Sequence, residues 1–185
     1  MRESERFESG LHGAGYYSQA LQESQSYLSS KDQFQSLVQA EEQPWEKCDQ
    51  GLLKHLTNGA MNTSEFALNV YQQVIEPGGY SGKHAHLSEE IMFILEGSGY
   101  DLHWDPIFSA DEHYDWSWED VPKRFEWTAG DFVYVPPNAI HQHFGNAANR
   151  VRLISATSQI VKALMGTYGL EQFESSSFSF NTEVG

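Results

Sequence analysis

The fold of this chain is constrained most by residues 78–97, where two histidines stand one residue apart and a glutamate follows four residues later. A two-residue step turns about 200° on a helix but returns to the same face of a β-strand, so His84 and His86 point together only on a strand. On a straight strand Glu90 would lie roughly 13 Å beyond His86, at about 3.3 Å per residue. The chain must therefore turn at residues 87–89, and we expect a hairpin that returns Glu90 on a neighbouring strand.

Two neutral imidazoles and one carboxylate that meet in this way form a donor set suited to a divalent metal ion. Such a set accepts Fe(II), Mn, Ni or Zn, and the ligands alone leave the choice of metal open. A second segment, residues 130–146, runs from a buried strand through Pro-Pro-Asn into a strand that carries His141 and His143 on one face. Either of these histidines could supply a fourth ligand.

Composition limits the classes of partner. The 185 residues suit one domain with a proper core. The 26 acidic and 11 basic residues give a formal charge of −15, which disfavours nucleic acid and anionic membrane surfaces as partners. A single cysteine and a polar N-terminus without a signal peptide predict a cytoplasmic protein. No apolar run approaches the roughly 20 residues of a membrane span.

Three regions differ in their patterns. Residues 1–50 carry apolar residues at helical spacing, which predicts one or two helices, the second capped at Ser30 or Asp32. Residues 51–172 contain short apolar runs bounded by Gly, Asn and Pro, which predict a β-barrel domain. The Ser-rich residues 173–185 predict a disordered tail.

Three segments of the β domain carry more detailed predictions. Residues 91–95 are apolar at every position, so we expect both faces of that strand to be covered. Residues 106–127 hold three tryptophans among acidic residues, and we expect a long loop or an excursion hairpin there. Residues 159–165 are predicted to form a helix.

The two histidine segments resemble the two signature motifs of the cupin superfamily. The positions that match the first motif are Gly78, His84, His86, Glu90 and Gly97, and those that match the second are Gly130, Pro136 and His141. Two positions depart from the second motif, since Asn138 replaces a turn glycine and Gly145 stands where asparagine is expected. Asparagine tolerates a positive φ better than most residues, so this turn can still form.

The resemblance covers about residues 68–157 and implies an all-β fold, the cupin jelly-roll or double-stranded β-helix barrel. The apolar spacing in residues 1–50 adds a short helical N-terminal extension to this prediction. The metal ligands that the resemblance implies are His84, His86, Glu90 and His141. It also implies one divalent metal ion, with Fe(II) favoured, and a homodimer paired through edge strands.

Three histidines and one glutamate leave two adjacent positions of an octahedral ion open to substrate or oxygen. The resemblance favours a dioxygenase-type oxidoreductase that acts on a small aromatic or enolic acid. The alternatives are a non-oxidative isomerase or lyase, in which the metal is a Lewis acid, and a small-ligand-binding protein without catalysis.

Four further residues are candidates for the pocket. Tyr100 lies on one strand face and His103 on the other, and either could move a proton. An aromatic face at Tyr100 would also suit a planar substrate. His143 would line the pocket, and Arg152 could clamp a substrate carboxylate.

Overall fold

The computed structural model of the protein describes residues 16–30, 35–58, 61, 68–110, 114–167 and 169–178. The chain divides into two compact units, Met1–Gln35 and Ser36–Gly185. In the first unit the described residues form a helix, α1 (Tyr16–Ser30). The second predicted helix is absent from residues 35–39, which are not helical, and its alternative cap at Asp32 lies outside the described residues. Within the described ranges, no helix has the length and apolar character needed to cross a bilayer.

The described residues of the second unit form a short 3-10 turn at Ala40–Glu42, thirteen strands and one further helix. In chain order these are β1 (Glu46–Cys48), β2 (Gly51–Thr57), β3 (Leu68–Ile75), β4 (Lys83–Ala85), β5 (Glu90–Glu96), β6 (Ser98–Trp104), β7 (Pro106–Ala110), β8 (Tyr114–Trp118), β9 (Lys123–Thr128), β10 (Phe132–Val135), β11 (Ile140–Gly145), β12 (Val151–Ser158), α2 (Ile160–Met165) and β13 (Glu171–Glu174).

These strands pair into two main antiparallel sheets. The six-stranded sheet has the order β1-β2-β3-β12-β5-β10, and the five-stranded sheet has the order β13-β4-β11-β6-β9. Strands β7 and β8 pair only with each other. Two antiparallel sheets with these long-range neighbours form a jelly roll, so the predicted all-β fold is confirmed.

The inward faces of the sheets change from apolar to polar along the strands. The apolar end is the buried cluster of Ile75, Met92, Ile94, Trp127, Val133, Val151 and Leu153. On the same faces, β5 begins with Glu90 two residues before Met92, and β12 runs from Leu153 to the buried Thr157. The apolar end supplies the hydrophobic core, and the polar end holds the candidate site.

Strand β5 corrects one expectation, because only one of its faces is fully covered. Met92 and Ile94 are completely buried, whereas Ile91 is 46% exposed. Phe93 contacts Phe132 of the edge strand β10, with 4.6 Å between the ring centroids. The outer face of β5 is thus part of the barrel surface, and its apolar residues there are not core.

The acidic, tryptophan-rich region forms an excursion hairpin followed by a strand of the barrel. Strands β7 and β8 make the hairpin, with Phe108 opposite Trp116. Strand β9 then rejoins the five-stranded sheet beside β6. The predicted helix at residues 159–165 corresponds to α2.

The barrel extends beyond both expected boundaries. Strand β1 lies before residue 51 and pairs with β2, with Glu46 opposite Leu53. Strand β13 crosses the expected start of the tail at residue 173 and pairs with β4. The backbone N–H groups of Ser176 and Ser177 donate to the carbonyl oxygens of Asp49 and Tyr80. The tail is therefore ordered up to residue 178, because its backbone bonds to the barrel, and residues 179–185 lie outside the described ranges.

Candidate metal centre

Four buried side chains with metal-binding atoms meet at the polar end of the barrel. They are His84, His86, Glu90 and His141, and their ligand atoms all lie within 4.8 Å of one another. His84 lies on β4, His86 follows that strand directly, and His141 lies opposite His84 on β11. Glu90 is the first residue of β5 in the other sheet. The chain therefore turns where we expected, but it crosses to the facing sheet and does not form a hairpin with a neighbouring strand.

Each of the three histidines has its Nδ1 atom bonded to a backbone carbonyl two residues away. The distances from Nδ1 are 3.3 Å to Gly82 O for His84, 2.7 Å to Ser88 O for His86 and 3.0 Å to Ala139 O for His141. A carbonyl oxygen can only accept, so each Nδ1 carries a hydrogen, and Nε2 is the ring nitrogen that is available to a metal. This arrangement orients neutral imidazoles for metal binding through Nε2.

Glu90 joins the three imidazoles to the six-stranded sheet. Its Oε2 lies 2.9 Å from His86 Nε2 and 3.6 Å from His141 Nε2. Its Oε1 accepts hydrogen bonds from Ser155 Oγ at 2.5 Å and from the Tyr71 hydroxyl at 3.4 Å. Burial raises the pKa of Glu90, but the interactions with His141 and His86 outweigh it and hold the pKa well below its ordinary value. Glu90 is therefore anionic at neutral pH, as a metal ligand needs to be.

The pKa shifts of two of the three histidines, His84 and His141, favour the neutral form that binds metal. Burial and the neighbouring His141 hold the pKa of His84 well below its ordinary value, and burial lowers the pKa of His141. Burial also lowers the pKa of His86, but the hydrogen bond to Glu90 outweighs this and raises it. His141 Nε2 is buried without a hydrogen-bond partner. A metal ion would satisfy that atom and replace any proton held between His86 and Glu90.

The Pro-Pro-Asn turn positions two of the ligands. Asn138 has a φ of 60° and so fills the place of the expected glycine, as predicted. Its N–H donates to His86 O at 2.7 Å, and its own carbonyl accepts from Trp118 Nε1 at 2.8 Å. The turn leads directly into His141, so one backbone segment holds both His86 and His141.

His103 and His143 lie inside the barrel beside the four-residue cluster. Their ring centroids are 6.1 and 5.5 Å from that of His141. Both contact the buried Asp101, which also accepts a hydrogen bond from Trp127 Nε1 at 2.8 Å. Burial lowers the pKa of His143, but the charge of Asp101 outweighs this and raises it. These two predicted residues therefore belong to a polar layer behind His141.

Tyr100 and Arg152 do not reach the pocket, which corrects their predicted role. Tyr100 stacks on Phe144 with 4.8 Å between ring centroids, on the face of β6 opposite His103. Arg152 pairs with Glu96 at 3.0 Å on the outer surface. Because side chains alternate along a strand, the inward positions are taken by their neighbours.

A cavity of about 160 Å³ opens onto His84, His86 and Glu90. Its other walls include Leu53, His55, Asn69, Tyr71, Thr157 and Leu170. Burial, and then the charge of Glu90, raise the pKa of Tyr71 well above its ordinary value, so its hydroxyl stays protonated. None of these six residues was predicted. Alternation along β3 places Asn69 and Tyr71 on one face, but it does not indicate that this face is the inward one.

No protein-family model matches the chain, and no curated protein matches it. Solved structures do match. An oxalate decarboxylase is 16% identical with a TM-score of 0.54, over 72% of this chain and 31% of that one. The vicilin of hazelnut, Corylus avellana, is 14% identical with a TM-score of 0.53, over 73% of this chain and 34% of that one. A cupin-like protein from Thermotoga maritima is 22% identical with a TM-score of 0.47, over 67% of this chain and 76% of that one.

This chain thus spans about a third of the length of the decarboxylase and the vicilin. At these identities the likeness concerns the fold, and it agrees with the strand order described above. The chain has the fold of the cupins, with a buried His-His-Glu-His cluster that could hold a metal ion.

Proposed function

We propose that this protein is a metal-dependent oxidoreductase of the dioxygenase type, with Fe(II) at His84, His86, Glu90 and His141. The observation that carries the proposal is the orientation of three buried imidazoles. Their Nδ1 atoms donate to backbone carbonyls, and the Nε2 atoms of His86 and His141 lie 2.9 and 3.6 Å from Glu90 Oε2. The cluster lies beside a cavity. This arrangement leaves room for a substrate next to the ion.

Fe(II) in a three-histidine, one-glutamate site would supply two open positions, at which an electron-rich substrate and O2 can react. The substrate would be a small aromatic or enolic acid that is oxidised while both atoms of O2 enter the products. Among the residues of the chain, Ser155 and Tyr71 hold Glu90 Oε1, so that Oε2 faces the histidines. The cavity walls would limit access of water to the reacting atoms.

Metal content tests the site itself. We expect wild-type protein to bind about one divalent ion per chain, and the double variant His84→Ala, His86→Ala to bind none under the same conditions. His55→Ala serves as the matched control, since His55 lines the cavity but is not part of the cluster. Full metal content in the double variant would refute the assignment of the ligands.

Oxygen consumption tests the reaction. The protein would be loaded with Fe(II) without oxygen and then mixed with O2 and a panel of catechols, gentisate-like and salicylate-like acids and enolic acids. We expect substrate-dependent oxygen uptake, with label from 18O2 in the products. Tight binding without turnover by any acid would instead indicate a ligand-binding protein.

One observation favours a second candidate, a non-oxidative lyase or isomerase. Tyr71 places a protonated hydroxyl in the cavity, 3.4 Å from Glu90 Oε1, where it could move a proton to or from a substrate. Metal-dependent turnover that needs no O2, and that falls at least a hundredfold in Tyr71→Phe, would support this candidate over the dioxygenase. Unchanged turnover in Tyr71→Phe would exclude a proton-transfer role for this residue.

We also propose a homodimer located in the cytoplasm. The outer face of β5 and β10 supports the dimer, because Ile91, Phe132 and Tyr134 are exposed there by 46, 71 and 56%. β10 is also the edge strand of the six-stranded sheet. An exposed apolar face on an edge strand is suited to pairing with a second copy of the chain.

A further inference from the structure

The described lining of the cavity next to the candidate metal centre contains neither lysine nor arginine. It consists of the candidate ligands His84, His86 and Glu90, of His55, and of residues without an ionised side chain. Arg152, the residue expected to clamp a substrate carboxylate, pairs with Glu96 on the outside. Within the described lining, a substrate anion would therefore meet no lysine or arginine, and the metal ion would be its main positive partner.

The His55 wall of the cavity is already paired with a carboxylate. His55 Nε2 lies 3.0 Å from Glu46 Oε2. A carboxylate on the ligand that approached this wall would compete with Glu46 for His55, and the Glu46 carboxylate would repel it.

The mouth of the cavity is apolar. Leu53 lies on the inward face of β2, and Leu170 lies in the segment between α2 and β13. Gly169, which precedes Leu170, lies close to Leu87, since a Cβ built on Gly169 would lie 2.7 Å from Leu87 Cγ. The cavity volume of about 160 Å³ is also below the roughly 300–1,000 Å³ of pockets for drug-sized ligands.

We propose that the cavity selects a small acid with a single anionic group, which binds the metal, and with an uncharged end directed at Leu53 and Leu170. A dicarboxylate of the same size is rejected. This inference rests on the proposed function in one respect, because the metal ion anchors the anionic end. It narrows the substrate class to small monoacids and assigns specificity to the neutral walls.

Binding to the Zn(II)-loaded full-length protein tests the inference without any oxidation. Three probes share the same 2-hydroxy acid group and differ at the far end: 2-hydroxybutanoate, malate and the 4-amide of malate. The amide has the shape of malate without its second charge. By calorimetric titration we expect 2-hydroxybutanoate and the amide to bind at least tenfold more tightly than malate. Equal affinity for malate and its amide, or no binding of any probe, would overturn the inference.

A charge introduced at the mouth provides the second readout. Leu170 is 63% exposed, so Leu170→Arg should fold normally, and it should reduce the discrimination against malate at least fivefold. Leu164→Arg, at a residue 81% exposed on α2 outside the cavity lining, is the matched control and should leave the discrimination unchanged. If the ratio of the affinities for the amide and for malate were the same in Leu170→Arg and Leu164→Arg, the role of the Leu170 wall in specificity would be refuted. Discrimination without oxygen uptake by the Fe(II) form would refute the dioxygenase proposal alone.

Discussion

Substitutions at Asn138 should show how much the affinity for metal depends on the backbone conformation of the turn, because they leave the candidate ligand side chains unchanged. Among the residues that the structure describes, Asn138 is the one non-glycine residue with a positive φ. Its N–H holds the carbonyl of His86, and its turn leads into His141. The positions of two candidate ligands, His86 after β4 and His141 on β11, therefore depend on one residue with a left-handed backbone conformation.

Asn138→Ala keeps the backbone N–H but loses the side chain that makes the left-handed region tolerable. We expect the positive φ of the native turn to cost about 1–2 kcal/mol more conformational free energy in this variant than in the wild type. A relaxed turn displaces both His86 and His141, so the affinity for metal should fall by roughly 5- to 30-fold. Asn138→Gly should keep wild-type affinity, because glycine adopts a positive φ without a Cβ clash.

The assay is a competition titration of Zn(II) between each variant and a chromophoric chelator, with thermal unfolding of the metal-free forms in parallel. A loss of 1 kcal/mol should lower Tm by about 2–4 °C in a domain of this size. The exposed Asn146, whose side chain bonds only to Ser98 among the contacts described, provides the control Asn146→Ala. Wild-type affinity and Tm in Asn138→Ala, or equal losses in Asn138→Gly, would refute the reasoning.

Three further predictions concern stability and assembly. The pKa values of Glu90 and Asp101 are lowered in the folded protein, so the stability that their ionised forms contribute is lost as the pH falls below their ordinary values of 4.5 and 3.8. The raised pKa values of His86 and His143 give no opposing change below the ordinary value of 6.5. Urea unfolding of the metal-free protein should show a smaller free energy at pH 3.5 than at pH 5.5, and equal values would contradict this. Leu153→Ala removes a completely buried core side chain and should cost about 2–5 kcal/mol by urea unfolding. Leu164→Ala, at an exposed position, should change the free energy of unfolding by less than about 0.5 kcal/mol. Phe132→Glu should convert a dimer to a monomer in light scattering, and a wild-type monomer would argue against pairing through β10.

The candidate ligands could be predicted from the sequence because their spacing encodes local geometry. The His-x-His step requires a strand, and the second histidine segment supplies a strand face for His141. The spacing to Glu90 requires a turn but does not distinguish a hairpin from a crossing between sheets. Sheet membership depends on long-range pairing with β10 and β12, which no local pattern records.

The cavity walls could not be predicted from the sequence for a related reason. Alternation divides β3 into two faces, but nothing in residues 68–75 indicates which face is inward. The same ambiguity placed Tyr100 in the pocket, although the neighbouring inward positions of β6 are Asp101 and His103. The inward face of β6 is set by its pairing with β11, which places His103 opposite His141.

The hydrogen bonds that orient the three histidines have a consequence for how this protein can evolve. Each bond runs from a ring to a main-chain oxygen two positions away, and every residue type provides such an oxygen. The geometry of the ligands therefore does not depend on the identity of any particular neighbouring side chain. Substitutions around the centre can therefore alter the cavity while the orientation of the imidazole rings stays the same. The specificity of the cavity for its ligand can thus change during evolution while the arrangement of the three histidines is retained.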